Sequence, residues 1–374
     1  MRAVSALLLF FSHASVLHGI IIQPSTSAVR NFSRTHVHKL RANVIGDGPE
    51  IPCEKEKQTL SGATFNLVKA CVGSGVLALP SGVAAMGNSN LLLVPSAAII
   101  SMLGLLSAYS FHMIARISHG EIEKTETKSL SEAWKDEVGK DSAWVVSLAC
   151  LLVPFGCVLT YSIVLGDMLS SLAKSAGAKG FFCLRQNFIL SVTSLAIYPL
   201  CKVKTLAALS PLSMAGVIGM FLTCLFMGLR ALPGSPYSTN GGFLTTLAPS
   251  MQPSFGKVGL ENIFSSQVLI LISMAATSYL VHFTSHDFYD GLKDCNPRRF
   301  GLLTMFGFTI TTIINIAIMC FGFATFGGNC QGFILNNYSV QDIGATICRI
   351  IVSISLLGSY PIVSLFSLVF CLNN

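Results

Sequence analysis

The feature that most constrains this chain is a succession of apolar runs, each about 20 residues or longer, separated by short polar stretches. A run of that length spans the hydrocarbon core of a bilayer as a helix, and in lipid every backbone N–H and C=O must be satisfied within the spanning segment. After the first 46 residues, eight apolar segments follow, at 61–86, 90–116, 143–172, 187–201, 205–230, 262–292, 300–326 and 343–371, the fourth shorter than the rest. Only 11% of the residues are charged and 52% are hydrophobic, where a soluble domain carries about 25% charged residues. The expected class is therefore an all-α polytopic membrane protein, with the lipid bilayer as its principal surrounding.

The net charge of +7 does not point to nucleic acid. Five of the positive charges (Arg2, Arg30, Arg34, Lys39 and Arg41) fall in the first 46 residues, which hold no acidic residue, and the rest of the chain is nearly balanced. Residues 3–22 form a short apolar run behind Arg2, and a Ser-, Arg- and His-rich stretch follows. The first part is signal-like and the second transit-like. In tandem they resemble the bipartite presequence of proteins sent to complex plastids, which would place the protein in a plastid envelope. A basic tail behind an extra membrane anchor is the other reading, with a vacuolar or other endomembrane, or the plasma membrane, as destination. Residues 47–60 form a short N-terminal tail.

Loop charge sets the expected orientation. The loops after segments 2, 4 and 6 carry ten basic residues against five in the loops after segments 3 and 5, and the loops after segments 1 and 7 carry none. The first group should face the cytosol or stroma, together with Lys55 and Lys57. A signal peptide cleaved on secretion would put that end in the lumen, a conflict that import into a plastid followed by insertion from the stroma removes. The loop over 118–141 mixes Glu and Lys and reads as solvated, with a short amphipathic helix.

Within segment 1, the stretch NLVKACVGSGVLALP (66–80) carries Gly-Ser-Gly at its centre. Each glycine weakens a helix by about 1 kcal/mol. Freed backbone groups survive in a membrane only beside protein or a water-filled cavity. Val72, Gly73, Ser74 and Gly75 are thus expected to link two half-helices, the second starting near Val76 with a partly positive end suited to a carboxylate. Broken helices of this kind mark the substrate site of secondary transporters. A small-residue packing face would use the same glycines, and the glycines alone leave both readings open.

The stretch FNLVKACVGSGVLALP resembles the first helix of the amino acid/auxin permease family, which includes sodium-coupled neutral and proton-assisted amino acid transporters. Further resemblances follow in order: GCVLTYSIVLGDML (156–169) to the third helix, IYPLCKVKTLAALSPLSMAG to the turn between the fourth and fifth, SYLVHFTSHDFYDGL with His282 and Tyr289 to the sixth, and CRIIVSISLLGSYPI with Arg349 to the eighth. Together they cover about 60–371.

The resemblance implies the inverted-repeat fold of the leucine transporter, with residues 61–230 as the first repeat and 262–371 as three helices of the second. The chain departs from the family pattern in stopping after helix 8. That reads either as a fragment or truncated chain, or as a protein that does not transport alone. Carried over by position, Val72, Gly73, Ser74 and Gly75 would hold an amino-acid carboxylate through their backbone. The carbonyls of Thr277, Ser278 and Tyr279 would receive the ammonium. Tyr161 would close the pocket or bond the carboxylate, or else be an ordinary core tyrosine.

Coupling is expected to involve Lys69, where sodium-coupled members commonly carry Asn and proton-assisted members resemble this chain in carrying Lys. An ammonium is a poor neighbour for sodium, so Lys69 favours protons as the coupling ion, with sodium as the alternative. Ser355 and Ser359 could supply oxygens near Cys71 and Val72; bonding back to their own helix is the competing role, and the expected one for Ser355. His282 has a useful titration range or is a satisfied interface histidine. Asp167 is the acid in the apolar part of the first repeat, and an intramembrane acid is a functional group by default unless it lies at the interface.

The resemblance to proton-assisted members also implies a disulfide between Cys183 and Cys330. Asn337, in Asn-Tyr-Ser, fits a glycosylation acceptor. His282 and His286 have metal-ligand spacing, but a single pair without further His clusters supports no metal centre, and no Cys-x-x-Cys occurs among the twelve cysteines. The expected activity is secondary transport of an amino acid, proton-coupled and by alternating access, with no organic cofactor and no covalent chemistry. A non-transporting amino-acid sensor on the same scaffold and a sodium-coupled transporter are the alternatives. Side-chain preference and oligomeric state are not legible.

Overall fold

The computed structural model describes residues 57–119, 134–135, 138–175, 177, 187, 206–238, 241–256 and 263–373. The presequence region 1–46, most of the tail, of the 118–141 loop and of segment 4, and Cys183 lie outside the described residues. Among the described residues the regular structure is helical: α1 (Leu60–Cys71), α2 (Leu79–Met86), α3 (Leu93–His119), α4 (Ala143–Ser175), α5 (Leu206–Ala231), α6 (Val268–Ser278), α7 (Ser285–Gly291), α8 (Pro297–Phe326) and α9 (Ile343–Asn373), joined in places by short 3₁₀ turns. Among the described residues, five helical spans are long and apolar enough to cross a membrane, six with the bent pair α1–α2. The protein is a polytopic, all-helical membrane protein.

Local chemistry explains several boundaries. The Thr59 hydroxyl caps α1 by accepting from the Gly62 N–H at 3.3 Å. At α8 the Asn296 side chain accepts from the Arg299 N–H at 2.8 Å, with Pro297 in the first turn where its missing donor costs nothing. The same helix ends at Gly327, whose φ of 59° and ψ of −132° glycine adopts without strain.

Helix α8 forms the middle of the bundle, against α1, α2, α3 and α5, while α9 lies on α4 and α5. Half of the most apolar window of α8 is buried, against 22% for α3. Leu105, Leu106 and Tyr109 on α3, Trp144 and Leu148 on α4, and Phe221 and Leu225 on α5 are exposed. Apolar faces this extensive would be a liability in water; on helices of this length they are the lipid-facing surface.

The ends of the bundle sort the loops. At one end Gln58 pairs with the turn after α7: its N–H donates to the Gly291 carbonyl at 2.7 Å, and its own carbonyl accepts from the Lys293 N–H at 2.9 Å. Lys57, Lys293 and Arg299 belong to this end. At the other, the Gly256 N–H donates to the Asn88 carbonyl at 3.1 Å and the Gly328 N–H to the Ser254 carbonyl at 2.9 Å. The loops after segments 1, 5 and 7, which loop charge assigns to one face, therefore meet.

Candidate functional site

Segments 1 and 6 are both broken. Helix α1 stops at Cys71, Val72 caps it with φ −81° and ψ 78°, and Gly73 is extended at φ −102° and ψ −155°. A 3₁₀ turn over Ser74–Ala78 then leads into α2, and the two halves meet at 47°. The break is tighter than expected: Ser74 and Gly75 already belong to the downstream turn, whose first amides have no acceptor within it, and the α-helical part begins at Leu79 rather than near Val76.

In segment 6, α6 runs through Thr277 and Ser278, and the chain leaves the helix at Tyr279 before a 3₁₀ turn over His282–Thr284. The Leu280 N–H donates to the Thr277 carbonyl at 3.3 Å and the Val281 N–H to the Tyr279 carbonyl at 2.9 Å, so two of the three carbonyls assigned to an ammonium are already engaged. The Tyr279 side chain turns away, with its hydroxyl 2.9 Å from the Thr312 hydroxyl and 3.3 Å from the Ile100 carbonyl. Thr277 is exposed and donates to the Ser273 carbonyl at 2.8 Å.

The two broken segments cross-pack. The 3₁₀ turn and α2 lie against α6, where a Cβ built on Gly82 would meet the Leu271 Cα at 3.2 Å. At the opposite end α1 and its leading residue Gln58 meet α7 and the turn after it. Tyr161, on α4 and buried, closes on the first break: a Cβ on Gly73 would lie 2.8 Å from its hydroxyl.

Lys69 is 2% exposed, and its ammonium donates to the Ser355 hydroxyl at 2.5 Å. Its stem crosses α5 at Gly216, where a Cβ would come 2.8 Å from the Lys69 Cε. No carboxylate lies within ion-pair distance of it among the described residues. Ser355, expected to bond back to its own helix, receives the lysine instead, while the Ser359 hydroxyl bonds back to the Ser355 carbonyl at 3.2 Å.

His282, in the 3₁₀ turn after α6, packs against α3. Its Nε2 lies 3.2 Å from the Ser107 carbonyl, which can only accept, so Nε2 carries the proton; Ser110 Oγ is 2.8 Å from the same atom. Asp167 lies half-buried on α4, more than a turn beyond Tyr161. Cys330 is half-buried, with its thiol 3.6 Å from the Gly322 carbonyl. Its expected partner Cys183 is outside the described residues.

Asn337 corrects an expectation. It is fully buried; its Nδ2 donates to the Asn329 carbonyl at 2.9 Å and its Oδ1 accepts from the Gln331 N–H at 2.8 Å. An amide committed at both ends inside a loop cannot carry a glycan in this fold. His286 bonds with Asp287 at 3.3 Å, and no three His, Cys, Asp or Glu side chains gather as a metal site among the described residues.

Sequence reasoning missed Asn315 on α8. It is fully buried and donates its Nδ2 to the Ser278 hydroxyl at 2.8 Å, at the end of α6. The one available sign was an amide in the middle of an apolar run, TTIINIAIM.

Residues 56–374 match the family described as "Transmembrane amino acid transporter protein". The chain belongs to this family, whose members are transporters and not enzymes. Among curated proteins, this transmembrane amino acid transporter family member is similar to "Amino acid transporter AVT6E" of Arabidopsis thaliana, 27% identical over 295 residues, 76% of this chain and 55% of that protein. It is 24% identical over 307 residues to "Putative sodium-coupled neutral amino acid transporter 11" of Danio rerio, 81% of this chain and 63% of that protein. It is also 24% identical over 311 residues to "Vacuolar amino acid transporter 2" of Saccharomyces cerevisiae, 82% of this chain and 60% of that protein. The chain thus spans 55 to 63% of the length of these three relatives.

Proposed function

We propose that the protein is a secondary transporter of amino acids, coupled to protons and working by alternating access. The observation that carries this reading is the pair of cross-packed broken segments. The turn after Gly73 offers the partly positive start of a helix, and α6 ends at Ser278 with the partly negative end of another. A zwitterion has the complementary charges, and membrane transporters place substrate at such interruptions. Residues 61–230 would form the first of two inverted repeats and 262–371 part of the second.

Lys69 supports protons as the coupling ion. Its ammonium lies between α1 and α9, where a sodium ion bound by the Ser355 oxygen would meet a like charge. A group able to exchange a proton there would link protonation to the packing of α1 against α5 and α9. Sodium coupling is the second reading, favoured by the name of the Danio rerio relative. Uptake of radiolabelled neutral amino acids into proteoliposomes separates the two. The proposal expects uptake driven by an inward proton gradient and unchanged by sodium; uptake that needs sodium and ignores the proton gradient overturns the proton assignment, and binding without uptake overturns transport.

The presequence reading points to a plastid envelope and the name of the Saccharomyces relative to a vacuolar membrane. A fluorescent fusion of residues 1–50 found at the plasma membrane would refute plastid import.

A further inference from the structure

Asn315 sits where the two breaks meet. A Cβ on Gly307 would lie 2.5 Å from Leu67, and one on Gly322 would lie 2.6 Å from Pro80, so α8 runs alongside segment 1 in the same direction. Asn315 is midway between those glycines and thus level with the interruption after Cys71. One turn earlier on α8, Thr311 lies beside the thiol of Cys71, the last residue of α1. On its other side Asn315 reaches Ser278, the last residue of α6.

The orientation of its amide follows from its neighbour. Ser278 spends its only hydroxyl proton on the Ala275 carbonyl at 2.9 Å, so towards Asn315 it can only accept. Asn315 must then present its NH₂ to Ser278, which leaves Oδ1 as the free end. That oxygen is fully enclosed and has no hydrogen-bond partner. A buried carbonyl oxygen left without a donor is costly, and this one stands beside the negative end of α6. The acceptors at this point are an amide oxygen and a helix end, and their complement is a positively charged donor.

We propose that Asn315 recognises the primary ammonium of the ligand through its Oδ1, making α8 a third wall of the binding site beside the two broken segments. This inference rests on the amino-acid reading above. It assigns the ammonium largely to a side chain, in place of the carbonyls of Thr277 and Tyr279, which the backbone already engages.

The test uses the full chain with wild type, Asn315→Leu and Asn315→Asp, all checked by monodispersity in detergent. A mixture of radiolabelled L-amino acids first identifies what the wild type binds or takes up. That amino acid and its 2-hydroxy analogue, in which the amine is a hydroxyl, are then compared as competitors. The wild type should prefer the amine. Asn315→Leu should lower affinity for the amino acid about tenfold or more and affinity for the hydroxy analogue much less. Asn315→Asp, which keeps the oxygen, should retain the preference. A monodisperse Asn315→Leu protein with undiminished preference overturns the proposal and leaves the transport reading standing. Stabilisation of the wild type by sodium chloride alone, beyond that by choline chloride and lost in Asn315→Leu, overturns it in favour of an alkali-ion ligand. A wild type that neither binds nor transports any amino acid overturns the functional reading and this inference with it.

Discussion

Tyr161 sets its hydroxyl against Gly73, so closely that a methyl group on the glycine would lie 2.8 Å from the phenolic oxygen. Helix α4 and the break in segment 1 are therefore matched in shape at a single residue. Gly73→Ala must push the tyrosine or the extended link aside, and a displacement of this size at a positioning contact reduces uptake by about tenfold or more. Tyr161→Phe removes the clashing oxygen, so Gly73→Ala combined with Tyr161→Phe should recover part of the loss relative to Gly73→Ala alone. Proteoliposome uptake of the three variants measures this; a double variant no better than Gly73→Ala would show that the contact is not what limits the site.

The Lys69–Ser355 hydrogen bond joins residues 286 positions apart and is wholly buried. Ser355→Ala leaves an enclosed ammonium without its hydroxyl acceptor, a loss of about 1.5 to 3 kcal/mol for a hydrogen bond to a charged group. Lys69→Met removes the charge and keeps most of the stem that fills the space beside Gly216. In a Lys69→Met background, Ser355→Ala should then cost much less. Thermal unfolding of the four proteins closes the cycle, and equal costs of Ser355→Ala in both backgrounds would show that the two residues are not coupled.

Much of this was legible in the sequence because it is local. Runs of about 20 apolar residues define the spans, Gly-Ser-Gly marks the first break, and Tyr161 and Lys69 stand out as polar groups inside apolar runs. The second break was harder to bound. No glycine interrupts Ala-Thr-Ser-Tyr, so helix continues through Ser278, and the chain turns at Tyr279, whose ring is held beside Gly104 by contacts remote in sequence. Which serine meets Lys69 depends on the rotation of α9 against α1, on which hydropathy says nothing. The Asn-Tyr-Ser pattern at Asn337 was visible; its burial arises from a loop folding onto itself through Asn329 and Gln331.

That loop makes a prediction of its own. Since both ends of the Asn337 amide bridge backbone groups, Asn337→Ala should destabilise the folded protein by about 1 to 3 kcal/mol through the unpaired groups it leaves. In a glycosylating host, digestion of the folded, purified protein with an endoglycosidase should produce no mobility shift attributable to Asn337. A shift abolished by Ser339→Ala would mean that the site is modified before the loop closes.

At the same end of the bundle, Asp342 ties two loops to the start of α9. Its carboxylate is 1% exposed and accepts from Arg230 at 2.8 Å, from the Tyr237 hydroxyl at 3.2 Å and from the Gly344 N–H at 3.0 Å. Burial is the first cause pushing the Tyr237 phenol above its ordinary range, and the neighbouring carboxylate adds to it, so Tyr237 stays a neutral donor to Asp342 at physiological pH. Removing the acceptor strands a guanidinium, a phenol and an amide together. Asp342→Ala should cost about 3 kcal/mol, the lower end of the range for breaking a buried pair, because Arg230 retains some access to solvent. Asp342→Asn keeps an oxygen for one donor but loses the charge and turns its NH₂ towards the others, so it should lie between the alanine variant and the parent. Thermal unfolding in detergent at low and high salt decides the matter. A loss that disappears in high salt would mark an exposed ion pair rather than the enclosed one described here.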